Sequence, residues 1–103
     1  MLLVRQQIGD VLRDFRLQKR QTLRQVAARA SVALGYLSEI ERGQKEASSE
    51  ILLSIAEALD TPISLIMREV SDRLAVLEGV EIPDTVPVEM LSNFDSQLVA
   101  GRL

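Results

Sequence analysis

Apolar residues between Ile8 and Leu77 recur at helical rather than strand spacing. Ile8, Val11, Leu12 and Phe15 fall at i, i+3, i+4 and i+7, which predicts an amphipathic helix from about Arg5 to Lys19. A polar break at Arg20–Gln21 follows. Thr22, with Gln25 three residues on, has the pattern of a capping box: hydroxyl to the N3 amide, side-chain amide back to the cap. It opens a second helix, Leu23–Ala30, that would bury Leu23, Val26, Ala27 and Ala30, small enough to let a neighbour approach closely. Ser31 and Val32 lead into a third, Ala33–Arg42, with Leu37 and Ile40 turned inward and Gly43 as its left-handed terminator. Ser48 caps a fourth, Ser49–Leu59, with Glu50 in its first turn and Leu52, Ile55, Ala56 and Leu59 as its core stripe. Thr61–Pro62 starts a fifth, with the proline at the first helical position, running to Glu78 before Gly79. Beyond it, Val80–Pro87 reads as an extended linker and Val88–Leu98 as a short terminal helix.

Composition narrows what such a chain can do. The 103 residues are 47% apolar and 26% charged, a globular balance with material for one modest core. Residues 1–62 are expected to form the main domain, and 63–103 the fifth helix with a short extension. Cysteine and histidine are both absent, which excludes disulfides, thiolate and imidazole metal sites, Cys nucleophiles and His general bases. There is no nucleophile elbow and no phosphate-binding glycine loop. An enzyme is not expected, nor a cofactor or metal. Without an eighteen-residue apolar run or a signal-peptide pattern, a cytoplasmic protein with no membrane segment is expected.

The net charge of −3 conceals an asymmetry. Residues 1–45 hold nine Lys/Arg against four acids, and residues 46–103 hold three against eleven. A basic half followed by an acidic one suits a protein that offers one face to a polyanion. Chance clustering of solvated charges would give the same numbers, so charge alone leaves both readings open.

The second and third helices, joined by about three residues, have helix-turn-helix dimensions, although any small helical bundle could share them. Particular residues add to the spacing. Gln25-Val26-Ala27, Ser31, Tyr36-Leu37-Ser38-Glu39-Ile40-Glu41-Arg42-Gly43, Ser48 and Ile55-Ala56-Glu57-Ala58-Leu59 together resemble the lambda-repressor-like, XRE-type family of DNA-binding proteins. The resemblance covers roughly Ile8 to Leu65 and extends to the actinobacterial regulators of Clp protease genes within that family. It implies an all-α, five-helix DNA-binding fold with an extended fifth helix and a short C-terminal dimerisation extension.

The resemblance also implies that the start of the third helix enters the major groove, where base edges display a donor/acceptor code. Here those positions are Val32, Ala33, Leu34, Gly35, Tyr36, Ser38 and Glu39, with Arg42 one turn later. Ala33, Leu34 and Gly35 lack side-chain hydrogen-bonding atoms and could only meet a thymine methyl or admit the backbone. Glu39 can accept from cytosine N4, Ser38 can bond several edges, and Arg42 can reach a guanine or a phosphate. Tyr36 could reach a phosphate or be a half-buried ring, and Glu39 could be simple solvated surface. Arg24 and Gln25 at the start of the second helix, with Gln44 and Lys45 after the third, are the candidate phosphate contacts. Arg5, Lys19 and Arg20 read as solvated charges of the first helix. Arg16 and Glu41 occupy positions that form an ion pair in some repressors of the family, a structural role.

In the fifth helix Ile63, Ile66, Val70 and Leu77 share one face, with Leu65, Met67 and Leu74 alongside. Leu65 and Ile66 should complete the core, leaving Val70, Leu74 and Leu77 uncovered, as a two-fold homodimer on a palindromic site would require. A tail folded back within one chain would also cover them. The expected function is thus a dimeric, sequence-specific regulator of transcription, binding double-stranded DNA without a cofactor. The resemblance favours an activator of stress and protease genes, which would contact RNA polymerase. The alternative is an antitoxin or adaptor that uses the same fold to hold a protein. The apolar end Leu98–Leu103 could serve as a tag for an ATP-dependent protease, or be a loose terminus.

Overall fold

The computed structural model describes residues 3–79. The expected linker, terminal helix, dimerisation extension and protease tag lie outside these residues. Among the described residues there are five helices and no strand: α1 Val4–Gln18, α2 Leu23–Ala30, α3 Leu34–Glu41, α4 Ser49–Ala58 and α5 Ile63–Leu77. α1 packs on α3 and α5, α2 on α3 and α4, and α4 on α5. At the centre lie Val11, Leu12, Val26, Leu37, Ile40, Ile55, Leu59 and Ile66, all but sealed from solvent.

Local chemistry explains the boundaries. Thr22 and Gln25 form the expected capping box, and the Ser48 hydroxyl accepts the Ile51 amide at the start of α4. α3 is one residue shorter at each end than its pattern predicts, because Ala33 and Arg42 take the flanking cap positions. Pro62 is likewise the cap of α5 rather than its first helical residue: its ψ is 137°, and its carbonyl accepts the Leu65 and Ile66 amides.

Helices α1 to α4 end in the same closed turn. In each, a residue just past the end bonds three positions back and the next one bonds five back, as with Gly43 N–H to Ile40 O at 3.0 Å and Gln44 N–H to Glu39 O at 2.8 Å. That turn requires a left-handed residue. Gly43 supplies it after α3 (φ 73°), whereas Arg20, Ser31 and Asp60 adopt the same conformation after α1, α2 and α4 (φ 56°, 58° and 50°).

Two features lock α1 against the end of α3. Gly9 is buried, and a Cβ there would collide with Ile40 O and lie 2.7 Å from Glu41 O, so only glycine lets the backbones approach this closely. Two turns on, Arg16 grips Glu41 with both arms: Nε donates to one carboxylate oxygen at 2.8 Å and Nη2 to the other at 3.0 Å. Its Nη1 donates to Gln21 O at 3.1 Å. The side chains are 13% and 6% exposed, and the structural role expected of this pair is what the geometry provides.

α5 differs most from expectation. Ile66 is buried but Leu65 is 45% exposed, and Val70, expected to be uncovered, is 4% exposed within the core of its own chain. Leu74 is half-buried against the same core. The cause is the seating of α5 along α1, where Arg73 donates to Asp14 at 2.6 Å and to Glu69 at 3.1 Å. The Asp14 hydrogen bond raises the Arg73 pKa, burial opposes the rise and Glu69 adds to it. α5 therefore packs into one core with α1 and α4, on both sides of residue 62.

Removing one partner of a buried pair strands the other charge. Glu41→Ala should thus lower unfolding free energy by about 3 kcal/mol, and Arg16→Met with Glu41→Leu together by clearly less. Urea midpoints of the three proteins measure both.

Candidate nucleic-acid interface

Helical geometry divides α3 into two faces. Leu37, Ile40 and Glu41 are buried, and Leu34, Gly35 and Arg42 are exposed, with Ser38 and Glu39 half-exposed between them. Ala33, just ahead of the helix, is exposed too. The outer face is therefore short, and small or apolar at its start, with polar groups only in its second half. No side chain caps the N-terminus of α3. Its first amides, on Leu34, Gly35 and Tyr36, precede the first intrahelical bond, which Leu37 N–H makes to Ala33 O.

α2 approaches the same region from the other limb of the turn. Arg24 and Gln25 are exposed in its first turn. Gln25 is partly committed: its Oε1 accepts the Thr22 amide at 2.8 Å, leaving the NH2 group of that side chain as a donor. The Thr22 hydroxyl takes the Gln25 amide at 3.1 Å, so the Leu23 and Arg24 amides remain ahead of the helical ladder. Gln44 and Lys45 stand exposed on the α3–α4 loop.

The surroundings of the expected contacts and their neighbours differ. Tyr36 is half-buried against the core and donates its hydroxyl to Glu46 O at 3.1 Å, so the ring braces the loop. Val32 also packs on the core, below the exposed rim. The Arg42 side chain lies back along its own helix, with Nε 3.4 Å from Ser38 O, a weak contact it can relinquish. Glu39 is half-exposed rather than fully solvated. Arg29, at the far end of α2, is paired with Asp60 at 3.2 Å across to the end of α4.

Arg5 departs furthest from its reading as a solvated charge. Its Nε donates to Gly43 O at 2.9 Å, tying the first turn of α1 to the loop that carries Gln44 and Lys45. Nothing in the periodicity of α1 signals this contact, which joins positions 38 residues apart. Gly9 carries a weak signal, since a glycine inside a helical stripe costs about 1 kcal/mol relative to alanine unless packing offsets it.

At the other end of the molecule, Val76 (79% exposed) and Leu77 (55%) are the most exposed of the large apolar side chains of α5, ahead of Leu65 and Met67. With Gln7, Glu69, Asp72 and Arg73 they line a shallow hollow between α1 and α5. No helix among the described residues is long and apolar enough to cross a membrane.

Five short helices, a tight α2–α3 turn and an open outer face on α3 define a lambda-repressor-like, helix-turn-helix domain. A family model described as a helix-turn-helix domain matches residues 7–67, and the chain belongs to that family in its XRE-type form. Over 73 residues it is 52% identical to the transcriptional regulator ClgR of Mycobacterium tuberculosis strain H37Rv. That alignment covers 71% of this chain and 65% of the relative, so the chain spans just under two thirds of the relative's length. Among solved structures, the Clp gene regulator ClgR of Corynebacterium glutamicum superposes with a TM-score of 0.72 at 41% identity, covering 76% of this chain and 83% of that one. The restriction-modification controller protein C.AhdI of Aeromonas hydrophila matches at 0.58 and 29% identity, covering 64% and 94%.

The capping box gives a direct check on how α2 is held. Thr22→Ala should cost about 1 kcal/mol of stability, and Thr22→Ser should retain most of it, both read from thermal unfolding.

Proposed function

We propose that the chain is a sequence-specific, DNA-binding regulator of transcription of the ClgR type, acting as a homodimer on a palindromic operator in the cytoplasm. The observation that carries this reading is the outer face of α3. It is exposed at its start, and Arg24 and Gln25 in the first turn of α2 and Gln44 and Lys45 on the loop after α3 are exposed as well. In the proposed complex Ala33, Leu34 and Gly35 lie against base edges without side-chain hydrogen bonds. Ser38 and Glu39 read bases beyond them, and Arg42 swings out to a guanine or a phosphate. The flanking side chains and the free first-turn amides of α2 hold the sugar–phosphate backbone.

One recognition helix spans too few base pairs for a unique site, so a second copy is required. The Corynebacterium glutamicum relative is named a Clp gene regulator, which supports a role in protein quality control. Activation in that role needs a contact with RNA polymerase. An ATP-dependent protease acting at the C-terminal tag would set the regulator's lifetime. A second reading, an antitoxin or adaptor, has one observation in its favour: Leu34 is 38% exposed at the head of α3, an apolar group where a hydrogen-bonding one would discriminate bases better.

Selection of bound sequences from a random duplex pool, followed by a salt series on the winner, separates the two. A regulator should return a symmetric motif whose affinity falls steeply with salt. Lys45→Ala should lower the slope of log K against log salt by about 1 without altering the motif. Glu39→Ala should change the preferred motif. Weak retention with no motif would favour the adaptor.

Dimerisation has its own test. Val76→Asp with Leu77→Asp should give a monomer by sedimentation and lower affinity for the full operator at least about 100-fold, with half-site affinity retained.

A further inference from the structure

The loop between α3 and α4, residues 42–48, has no secondary structure of its own beyond the turn that ends α3, yet it is tethered at successive points. Arg5 Nε donates to Gly43 O at 2.9 Å. The Tyr36 hydroxyl donates to Glu46 O at 3.1 Å, and the Arg5 guanidinium stands 3.9 Å from the Glu46 carboxylate. Beneath the loop, Gly43 is buried against α1 so closely that a Cβ would strike the Gln6 side chain and lie 2.9 Å from its Cα. These contacts bracket Gln44 and Lys45, which are themselves exposed and, among the described residues, hydrogen-bonded through the Gln44 amide to Glu39 O.

We propose that Arg5 is a positioning residue for DNA binding: from the first turn of α1 it fixes the Gly43 carbonyl, and so holds Gln44 and Lys45 where they meet the phosphate backbone. The inference rests on the DNA-binding reading above. A guanidinium on a neutral carbonyl makes a charge-assisted hydrogen bond, stronger than the exposed 3.9 Å pairing with Glu46, which contributes little in water. A lysine held in place beforehand loses less conformational freedom on binding than one on a wandering loop. The gain belongs to Gln44 and Lys45 and should vanish when they are absent. An arginine that touched a phosphate itself would act independently of them.

A double-mutant cycle distinguishes these cases. Against the selected duplex at fixed salt, Arg5→Ala should weaken the otherwise wild-type chain about fivefold. In a Gln44→Ala/Lys45→Ala background it should weaken binding less than about twofold. Equal losses in both backgrounds, or no loss in the first, overturn the proposal. Hydrogen exchange on the free protein supplies a readout that needs no DNA. The amides of Gly43 and Gln44, bonded to Ile40 O and Glu39 O, should exchange faster in Arg5→Ala while those of α2 do not change. Unchanged protection at Gly43 and Gln44 overturns the proposal even with a duplex bound. If the wild-type chain binds no duplex, the DNA reading fails and Arg5 has nothing to position, while the exchange rates still report whether the tether exists.

Discussion

The two-armed contact of Arg16 with Glu41 is the constraint on which the rest of the arrangement depends. One guanidinium closes three pieces of chain: its own helix α1, the turn into α2 through Gln21 O, and the last turn of α3 through both oxygens of Glu41. Such a contact contributes little net stability beyond what apolar side chains of the same shape would give. Its effect is directional, since a planar fork meeting a carboxylate fixes both distance and orientation. With Gly9 letting the backbones of α1 and α3 meet two turns away, the C-terminal end of α3 is held against α1 at two separate points of α1.

That rigidity is transmitted outward through short links. α3 ends at a glycine pressed onto Gln6, its loop is tied back by Arg5 and by the Tyr36 hydroxyl, and the next helix begins at the Ser48 cap. The exposed side chains that could meet a nucleic acid therefore sit on backbone that is already ordered. Helix lengths of eight to ten residues for α2, α3 and α4 are too short for independent stability in water, so these elements exist because their apolar faces meet. The closed turns at Arg20, Ser31 and Asp60 have the same origin. A non-glycine residue is held in a left-handed conformation because continuing the helix would carry the chain away from the core.

α5 joins the two ends of the molecule. Its first turns complete the core through Ile66 and Val70, its middle is bound to α1 by Arg73, and its last turn carries its most exposed apolar groups. Along the chain the acidic residues are concentrated after Lys45 and the cations before it, although Asp60 pairs with Arg29 and Glu46 stands in the α3–α4 loop. An overall negative charge is thus compatible with a locally positive binding face.

The sequence by itself determined the helices, their caps and their inward stripes. These depend on interactions within a few residues, and Thr22 with Gln25, Ser48 and Gly43 carry them in their own side chains or lack of one. It also placed the helix-turn-helix and, through the resemblance, the Arg16–Glu41 pair. What it could not determine was which apolar residue of α5 lies inside, because Leu65, Ile66 and Val70 have equal claims until α1 and α4 select one face. Nor could it show that Arg5 reaches Gly43, that Tyr36 braces Glu46, or that Arg20, Ser31 and Asp60 would do the work of glycines. Each of those outcomes is set by segments distant in sequence closing on the same small volume, and only the packed tertiary structure decides them.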